Sequence, residues 1–304
     1  MTTPKLFVLC GLPASGKSTY AKKLAEVHNA NIHSSDEIRE ELSGDVNNQN
    51  INELVFKTLH NRIKEDLKNG KSCIYDATNI NYKRRMGFLN ELNKIPCEKI
   101  CYLVATPYEE CLKNNANRDR KVPEEVIERM YRNIDVPYYY EGWDRVEAIY
   151  LNEDYLQYYG LPSDFCIGTL NFNQDNSHHT STLGEHCARV YNGVIDKGMR
   201  VRFAGLLHDC GKPFTKTFTN SKGETTEQAH YYSHERVGSY NALFYDMESW
   251  VDRKEVAILI RWHMQPYFWE RGNNEKLHNK YHKLWGNGLH RDIMLLHEAD
   301  VKAH

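Results

Sequence analysis

Gly11-Leu12-Pro13-Ala14-Ser15-Gly16-Lys17-Ser18 fits the spacing G-x-x-x-x-G-K-[ST], and its neighbours place it where a phosphate-binding loop has to lie. The apolar run Leu6 to Cys10 before it reads as a buried strand, and a helical pattern begins near Lys17. Glycines let successive backbone N–H groups close around a β-phosphate, and the helix N-terminus adds positive potential. Lys17 is then expected on the β- and γ-phosphates of ATP, and Ser18 on Mg²⁺. Gly11, Ala14, Ser15, Gly16, Lys17, Ser18 and Thr19 are the expected nucleotide contacts.

Further strand-like runs at Ser72 to Tyr75, Glu98 to Val104 and Val146 to Leu151 alternate with helical patterns. This predicts an α/β domain, a parallel sheet flanked by helices, with the loop at the carboxyl edge where such sheets bind ligands. Ser34-Ser35-Asp36-Glu37 and Thr106-Pro107-Tyr108-Glu109 have capping-box spacing and mark two helix starts. Asn31 to Asp36 reads as a short strand that delivers the Asp36 carboxylate to the same edge, where a kinase needs a base near its acceptor hydroxyl. Arg39, one turn on, is placed to hold a substrate phosphate. Asp76 and Asn79 close another apolar run, with Asp76 positioned for the metal's water shell, and Arg85 in Lys83-Arg84-Arg85 offers a phosphate or nucleotide contact. The polar, basic stretch Lys113 to Pro123 reads as a lid, whose Arg118 and Arg120 would stabilise charge on the transferring phosphoryl group. Tyr138-Tyr139-Tyr140 is expected to pack beneath it.

With 304 residues and 40% hydrophobic content, the chain can bury a sizeable core, and its length suggests two domains. A net charge of −2 argues against indiscriminate electrostatic binding to long duplexes. No run approaches a membrane span, and the start Met1 to Leu6 lacks the form of a signal peptide, which predicts a cytoplasmic protein with no membrane partner. Eight cysteines without a C-x-x-C pair read as reduced packing thiols. Nothing in the sequence fixes an oligomeric state.

Histidine divides the chain: twelve of the fifteen lie after residue 175. Asn152 to Asn176, with Gly160-Leu161-Pro162-Ser163, has no sustained period and reads as the boundary. Beyond it the patterns are helical, over Leu183 to Lys197, Val201 to His208, His234 to Phe244, Lys254 to His263 and Ile293 to Lys302. His186, the doublet His208-Asp209, His234, His263 and Asp300 sit on these helices. Imidazole nitrogen with carboxylate oxygen suits a borderline transition metal, and an Asp beside a His can bridge two ions. His178, His179 and His230 are near enough in sequence to line the same pocket, whereas His278, His282, His290, His297 and His304 default to solvent or packing.

The phosphate loop, Ser35-Asp36 with Arg39, Asp76 to Asn79 and the lid leading into Val122 to Ile127 together resemble phage-type polynucleotide 5′-kinases of nucleic-acid repair, from about residue 5 to 152. The resemblance implies ATP-dependent phosphorylation of a 5′-hydroxyl end, Asp36 as general base and Arg39 on the phosphate beside the acceptor nucleoside. Family lids carry an arginine where this chain has Lys113 or Asn117.

The second half resembles the HD phosphohydrolase superfamily, whose pattern is H…HD…D on a helical bundle. His186, His208, Asp209 and Asp300 match its central ligands, His234 and His263 the further histidines of two-metal members, and Lys212 a lysine often found after the doublet. This implies a pair of divalent transition ions such as Mn²⁺, Ni²⁺ or Fe²⁺, with Lys212 in a catalytic role. The expected layout is a P-loop kinase domain at 1–152, a linker at 153–176 and an all-α HD domain at 177–304. Together the halves resemble kinase and HD-phosphatase proteins of RNA end healing, which implies RNA (or DNA) ends as substrates, a 2′-, 3′- or 2′,3′-cyclic phosphate for the HD half, and an RNA ligase as a partner. Two other readings stay open on the residues alone: a nucleoside or small-molecule kinase joined to an HD nucleotidase, and a nucleotide-binding regulator with a sensing HD half.

Overall fold

The computed structural model describes residues 3–177 and 180–304, so His178 and His179 lie outside the described residues. The chain divides into two compact units, one formed by residues up to Met130 with Pro137–Leu151, the other by Tyr131–Val136 with Asn152–His304.

In the first unit β1 (Lys5–Cys10) leads into α1 (Lys17–His28), β2 (Asn31–Ser34) into α2 (Ser35–Ser43), and α3 (Asn52–Lys68) into β3 (Cys73–Asp76). Next come α4 (Tyr82–Glu91), β4 (Glu98–Ala105), α5 (Tyr108–Ala116), α6 (Glu124–Tyr131) and β5 (Arg145–Tyr150). The strands form one parallel sheet in the order β2-β3-β1-β4-β5. β1 is central and buried from Leu6 to Cys10, which is why its sequence runs apolar without alternation. Phe7 and Leu9 pack with Ala21 and Leu24 of α1 and with Ile74, Ile100 and Tyr102, each large apolar side chain contributing about 1.5–3 kcal/mol by leaving water. Leu9 pairs with Asp76, and Asp76 with Ser34, so β1, β2 and β3 end level and the segments after them start from one edge.

Ser34 caps α2 as its spacing predicts, its hydroxyl accepting from the Glu37 amide. The second expected cap is different. α5 is capped at Pro107 with no side-chain bond, and the Thr106 hydroxyl instead donates to the Ser15 carbonyl at 3.0 Å. The tyrosine run forms a short 3₁₀ turn, Tyr139–Glu141, that carries Glu141 inward. There Glu141 meets Arg85 in a two-pronged ion pair with N–O distances of 2.7 and 2.6 Å. Both groups are buried, at 3% and 4% exposure, and burial that would disfavour the cation is outweighed by Glu141, holding Arg85 well above its ordinary pKa.

The second unit is helical, built from α7 (Pro162–Gly168), α8 (Leu183–Gly193), α9 (Met199–Leu207), α10 (Lys212–Thr215), α11 (His234–Asn241), α12 (Arg253–Trp262), α13 (Gln265–Glu270) and α14 (Glu275–Ala303). A small antiparallel hairpin, β6 (Thr217–Thr219) with β7 (Thr225–His230), interrupts the helices. The stretch expected as a bare connection carries a 3₁₀ turn at Glu153–Gln157 and helix α7. Tyr131–Val136 is also at home here: Tyr131 bonds Asn241 and packs against Phe214 and Tyr240, and buried Asp135 pairs with Arg236 and Arg261. α14 kinks at Gly286, whose φ of 72° favours a glycine.

Arg85→Met leaves Glu141 buried without its cation, so urea unfolding is expected to show a loss of about 3–5 kcal/mol in the first unit. Adding Glu141→Leu should restore most of it.

Candidate functional site

Two sets of side chains are gathered, one in each unit. In the first, the loop after β1 turns through Ala14 at φ 60° and Gly16 at φ 93°, and α1 starts at Lys17. A side chain at Gly11 would meet the Val104 carbonyl at 2.9 Å. Lys17 is buried, its Nζ 2.6 Å from the Leu12 carbonyl and 3.4 Å from Ser15 Oγ. Burial lowers its pKa, with the Asp76 charge the largest opposing influence. Ser18 and Thr19 are exposed at the opening of α1. Asp76 is buried at the end of β3, as its place after an apolar run predicts.

The Asp36 carboxylate is held from both sides. Arg39 Nη1 donates to Oδ1 at 2.9 Å and Arg120 Nη1 to Oδ2 at 2.8 Å. Arg39 is 5% exposed, with Nη2 on Asn52 and with Nε buried and lacking a hydrogen-bond partner among the described residues. Arg120 also donates to Asn47 and to the Val46 carbonyl, while Arg118 is exposed. The base of the lid is pinned by Asn115, whose side chain bonds both the N–H and the carbonyl of Val122.

Two expected substrate contacts face elsewhere. Asn79 donates to the Leu9 carbonyl, and the Asn79 carbonyl accepts from Arg85. Arg85 is committed to Glu141, because a buried guanidinium is stable only when paired. Both therefore brace the end of β1 and do not present themselves to a ligand.

In the second unit five helical segments converge. His186 comes from α8, His208 and Asp209 from the end of α9, His234 from the start of α11, His263 from the end of α12 and Asp300 from α14; all are at most 7% exposed. Gly211 permits this, since a Cβ there would lie 2.2 Å from the His234 carbonyl and 2.7 Å from the Gly238 nitrogen. Asp209 stands between two imidazole pairs. Its Oδ2 is 3.6 Å from His186 Nε2 and 3.3 Å from His208 Nε2, and its Oδ1 is 3.3 Å from His234 Nε2 and 3.9 Å from His263 Nε2. Asp300 Oδ1 lies 3.1 Å from His186 Nε2. Lys212 Nζ is 2.7 Å from Asp209 Oδ2 and 2.8 Å from Gln174 Oε1.

These residues fit a divalent metal. Nδ1 of His208, His234 and His263 sits 2.9, 2.8 and 2.7 Å from the carbonyl oxygens of Gly205, Tyr231 and Ile260. A carbonyl only accepts, so Nδ1 carries the proton and a neutral ring leaves Nε2 bare. Yet Nε2 of His186 and His208 approach to 3.1 Å, and those of His234 and His263 to 3.3 Å. Two nitrogens each about 2.1 Å from a common ion stand about 3 Å apart at right angles. Protons do part of this work otherwise: burial opposes the charge on His208, but Asp209 and Asp300 hold its pKa up at about 9. His263 is pushed down to about 3 by burial and by the neighbouring histidines. Asp209 stays well below the carboxylate range despite its burial, with Lys212 and His208 responsible.

Three neighbours had no sequence signal strong enough to single them out. His304 Nε2 lies 3.5 Å from Asp300 Oδ1, and its i+4 spacing from Asp300 was the available clue. Tyr267 donates to Asp300 Oδ2 at 3.0 Å, and Gln174 receives Lys212.

Residues 6–137 match the family described as AAA domain, and residues 178–303 match the HD domain. An L-seryl-tRNA(Sec) kinase from Methanococcus maripaludis is 35% identical over 144 residues, which is 46% of this chain and 56% of that protein. The chain therefore spans about half the length of this curated relative. Among solved structures, the Pnkp1/Rnl/Hen1 RNA repair complex is similar at 23% identity and TM-score 0.37, covering 43% of each chain. A gluconokinase from Sinorhizobium meliloti 1021 is similar at 14% identity and TM-score 0.36, covering 50% of this chain and 86% of that one. The described residues contain no helix long and apolar enough to cross a membrane, and all eight cysteines are free.

Because His208 must lose its proton to ligate, metal affinity should weaken as pH falls below about 9. Mn²⁺ titration near neutral pH, in buffers of different ionisation enthalpy, is expected to show release of at least this proton. His263 is already neutral there and contributes none, and His208→Ala should remove the His208 share.

Proposed function

We propose that this chain, a P-loop kinase domain followed by an HD domain, is a bifunctional nucleic-acid end-healing enzyme. One centre phosphorylates 5′-hydroxyl ends with ATP and Mg²⁺, and the other removes a 2′-, 3′- or 2′,3′-cyclic phosphate with Mn²⁺, Ni²⁺ or Fe²⁺. The observation that carries the reading is the pairing itself. One chain holds the parts for adding a phosphoryl group to a hydroxyl and, separately, the parts for taking one off an ester.

In the kinase centre Lys17 neutralises phosphate charge, and Asp36 takes the proton of the acceptor hydroxyl as the oxygen attacks. Both Asp36 oxygens are held by guanidinium groups. Arg120 therefore leaves Oδ2 for the triphosphate when the lid closes, and the acceptor takes its place. Arg39 keeps the other oxygen oriented. In the HD centre, ions held by the six ligands would activate a water and stabilise the attacking and leaving oxygens. Lys212 fixes Asp209 and supplies a positive charge to the departing phosphate. Healed ends of this kind are what an RNA ligase joins, which makes a ligase the implied partner.

The relative named for a seryl-tRNA substrate supports RNA as the carrier of the acceptor. It also favours a second reading, in which the accepted hydroxyl is borne on RNA but is not a 5′ end. Comparing a 5′-hydroxyl oligoribonucleotide with a seryl-tRNA as acceptors separates the two, and absence of 5′ labelling would sink the first.

On RNA bearing 5′-hydroxyl and 3′-phosphate ends, Lys17→Ala should abolish 5′ labelling and keep 3′ dephosphorylation. A double His208→Ala and Asp209→Ala change should do the reverse. Arg120→Gln is expected to lower kcat for labelling by a factor on the order of 10³ and leave the HD reaction intact.

A further inference from the structure

We propose that residues 230–232 form a nucleobase platform that seats the terminal base of a single-stranded RNA beside the HD centre. This deepens the phosphatase reading and rests on it. The rings of His230 and Tyr232 lie nearly parallel, with an interplanar angle of 10° and centroids 5.5 Å apart. His230 is held from below, its Nε2 3.0 Å from Thr226 Oγ1. Tyr232 is the open surface of the pair, 45% exposed.

A lone exposed aromatic is ordinary on a protein surface. What distinguishes this one is the residue between the two rings. The Tyr231 carbonyl accepts from His234 Nδ1 and so fixes a ligand of the metal centre. The Tyr231 hydroxyl donates to the Gln174 carbonyl, and Lys212 Nζ lies 5.3 Å from the centre of its ring. Three consecutive residues thus alternate between a stacking face and the candidate hydrolytic site. Tyr232 and His234 are two residues apart, so their backbones lie within about 7 Å of one another.

The surroundings suit a nucleotide. Phe218 on β6 is 41% exposed, and Lys216 Nζ, which also pairs with Asp175, lies 5.9 Å from its ring centre. Every base has a π-face, so a stacking seat of this kind takes any terminal nucleotide and discriminates against phosphoesters that lack a ring. Such a seat gives the HD centre a preference for RNA ends over small phosphate esters without reading sequence.

The test uses the full chain and a 5′-phosphorylated oligoribonucleotide ending in 2-aminopurine with a 3′-phosphate. Binding to the wild type should quench the 2-aminopurine fluorescence, Tyr232→Ala should abolish the quenching, and Tyr232→Phe should keep it. The ratio of kcat/KM for the oligonucleotide to that for glycerol 2-phosphate, which has no ring, should fall about 5- to 150-fold in Tyr232→Ala. Equal quenching in wild type and Tyr232→Ala, or an unchanged ratio, overturns the platform. If quenching depends on Tyr232 but the wild type hydrolyses neither ester with Mn²⁺, Ni²⁺ or Fe²⁺, the platform stands and the phosphatase reading fails.

Discussion

One buried carboxylate organises the second unit. Asp209 turns one oxygen toward His186 and His208 and the other toward His234 and His263, so four segments of chain take their positions relative to a single side chain. Burying a negative charge is costly unless cations surround it. Here Lys212 supplies one positive charge, and the imidazoles provide the rest with protons or with metal. The packing obeys the same requirement. Gly211 has no side chain because the α11 backbone occupies that space, and any residue larger than glycine would push His234 away from Asp209.

The first unit solves a different problem, which is to bring groups from three strands to one place. A parallel sheet does this by register, since strands that end level deliver their loops together. The phosphate loop, Asp36 and Asp76 therefore share an edge, while Arg85, Glu141 and Asn79 hold the backbone behind it.

Much of this was legible in the sequence, for physical reasons. A loop of fixed glycine spacing between an apolar run and a helical period has few alternatives, and the H…HD…D residues needed only their helices to converge. What escaped depended on partners distant in sequence. Arg85 looks like part of a solvated basic run until Glu141, 56 residues later, closes on it. Thr106 has the spacing of a cap, but the Ser15 carbonyl, 91 residues away, claims its hydroxyl. Pro162 lies in a stretch with no sustained period, yet proline is well suited to the first turn of a helix and there it opens α7. β7, Thr-Thr-Glu-Gln-Ala-His, buries only Ala229 fully and so shows no alternation to detect.

The route of the chain between the units sets how it can be divided. It leaves the first unit at Tyr131, contributes six residues to the second, and returns at Pro137 before departing again after Leu151. A protein cut near residue 152 would keep Tyr131, Ile134 and Val136, all buried in the intact chain, without the helices that receive Tyr131. It would also keep Asp135 without Arg236 and Arg261. The stretch before residue 152 is thus not a self-contained module, and during synthesis Tyr131–Val136 must wait for partners made about a hundred residues later.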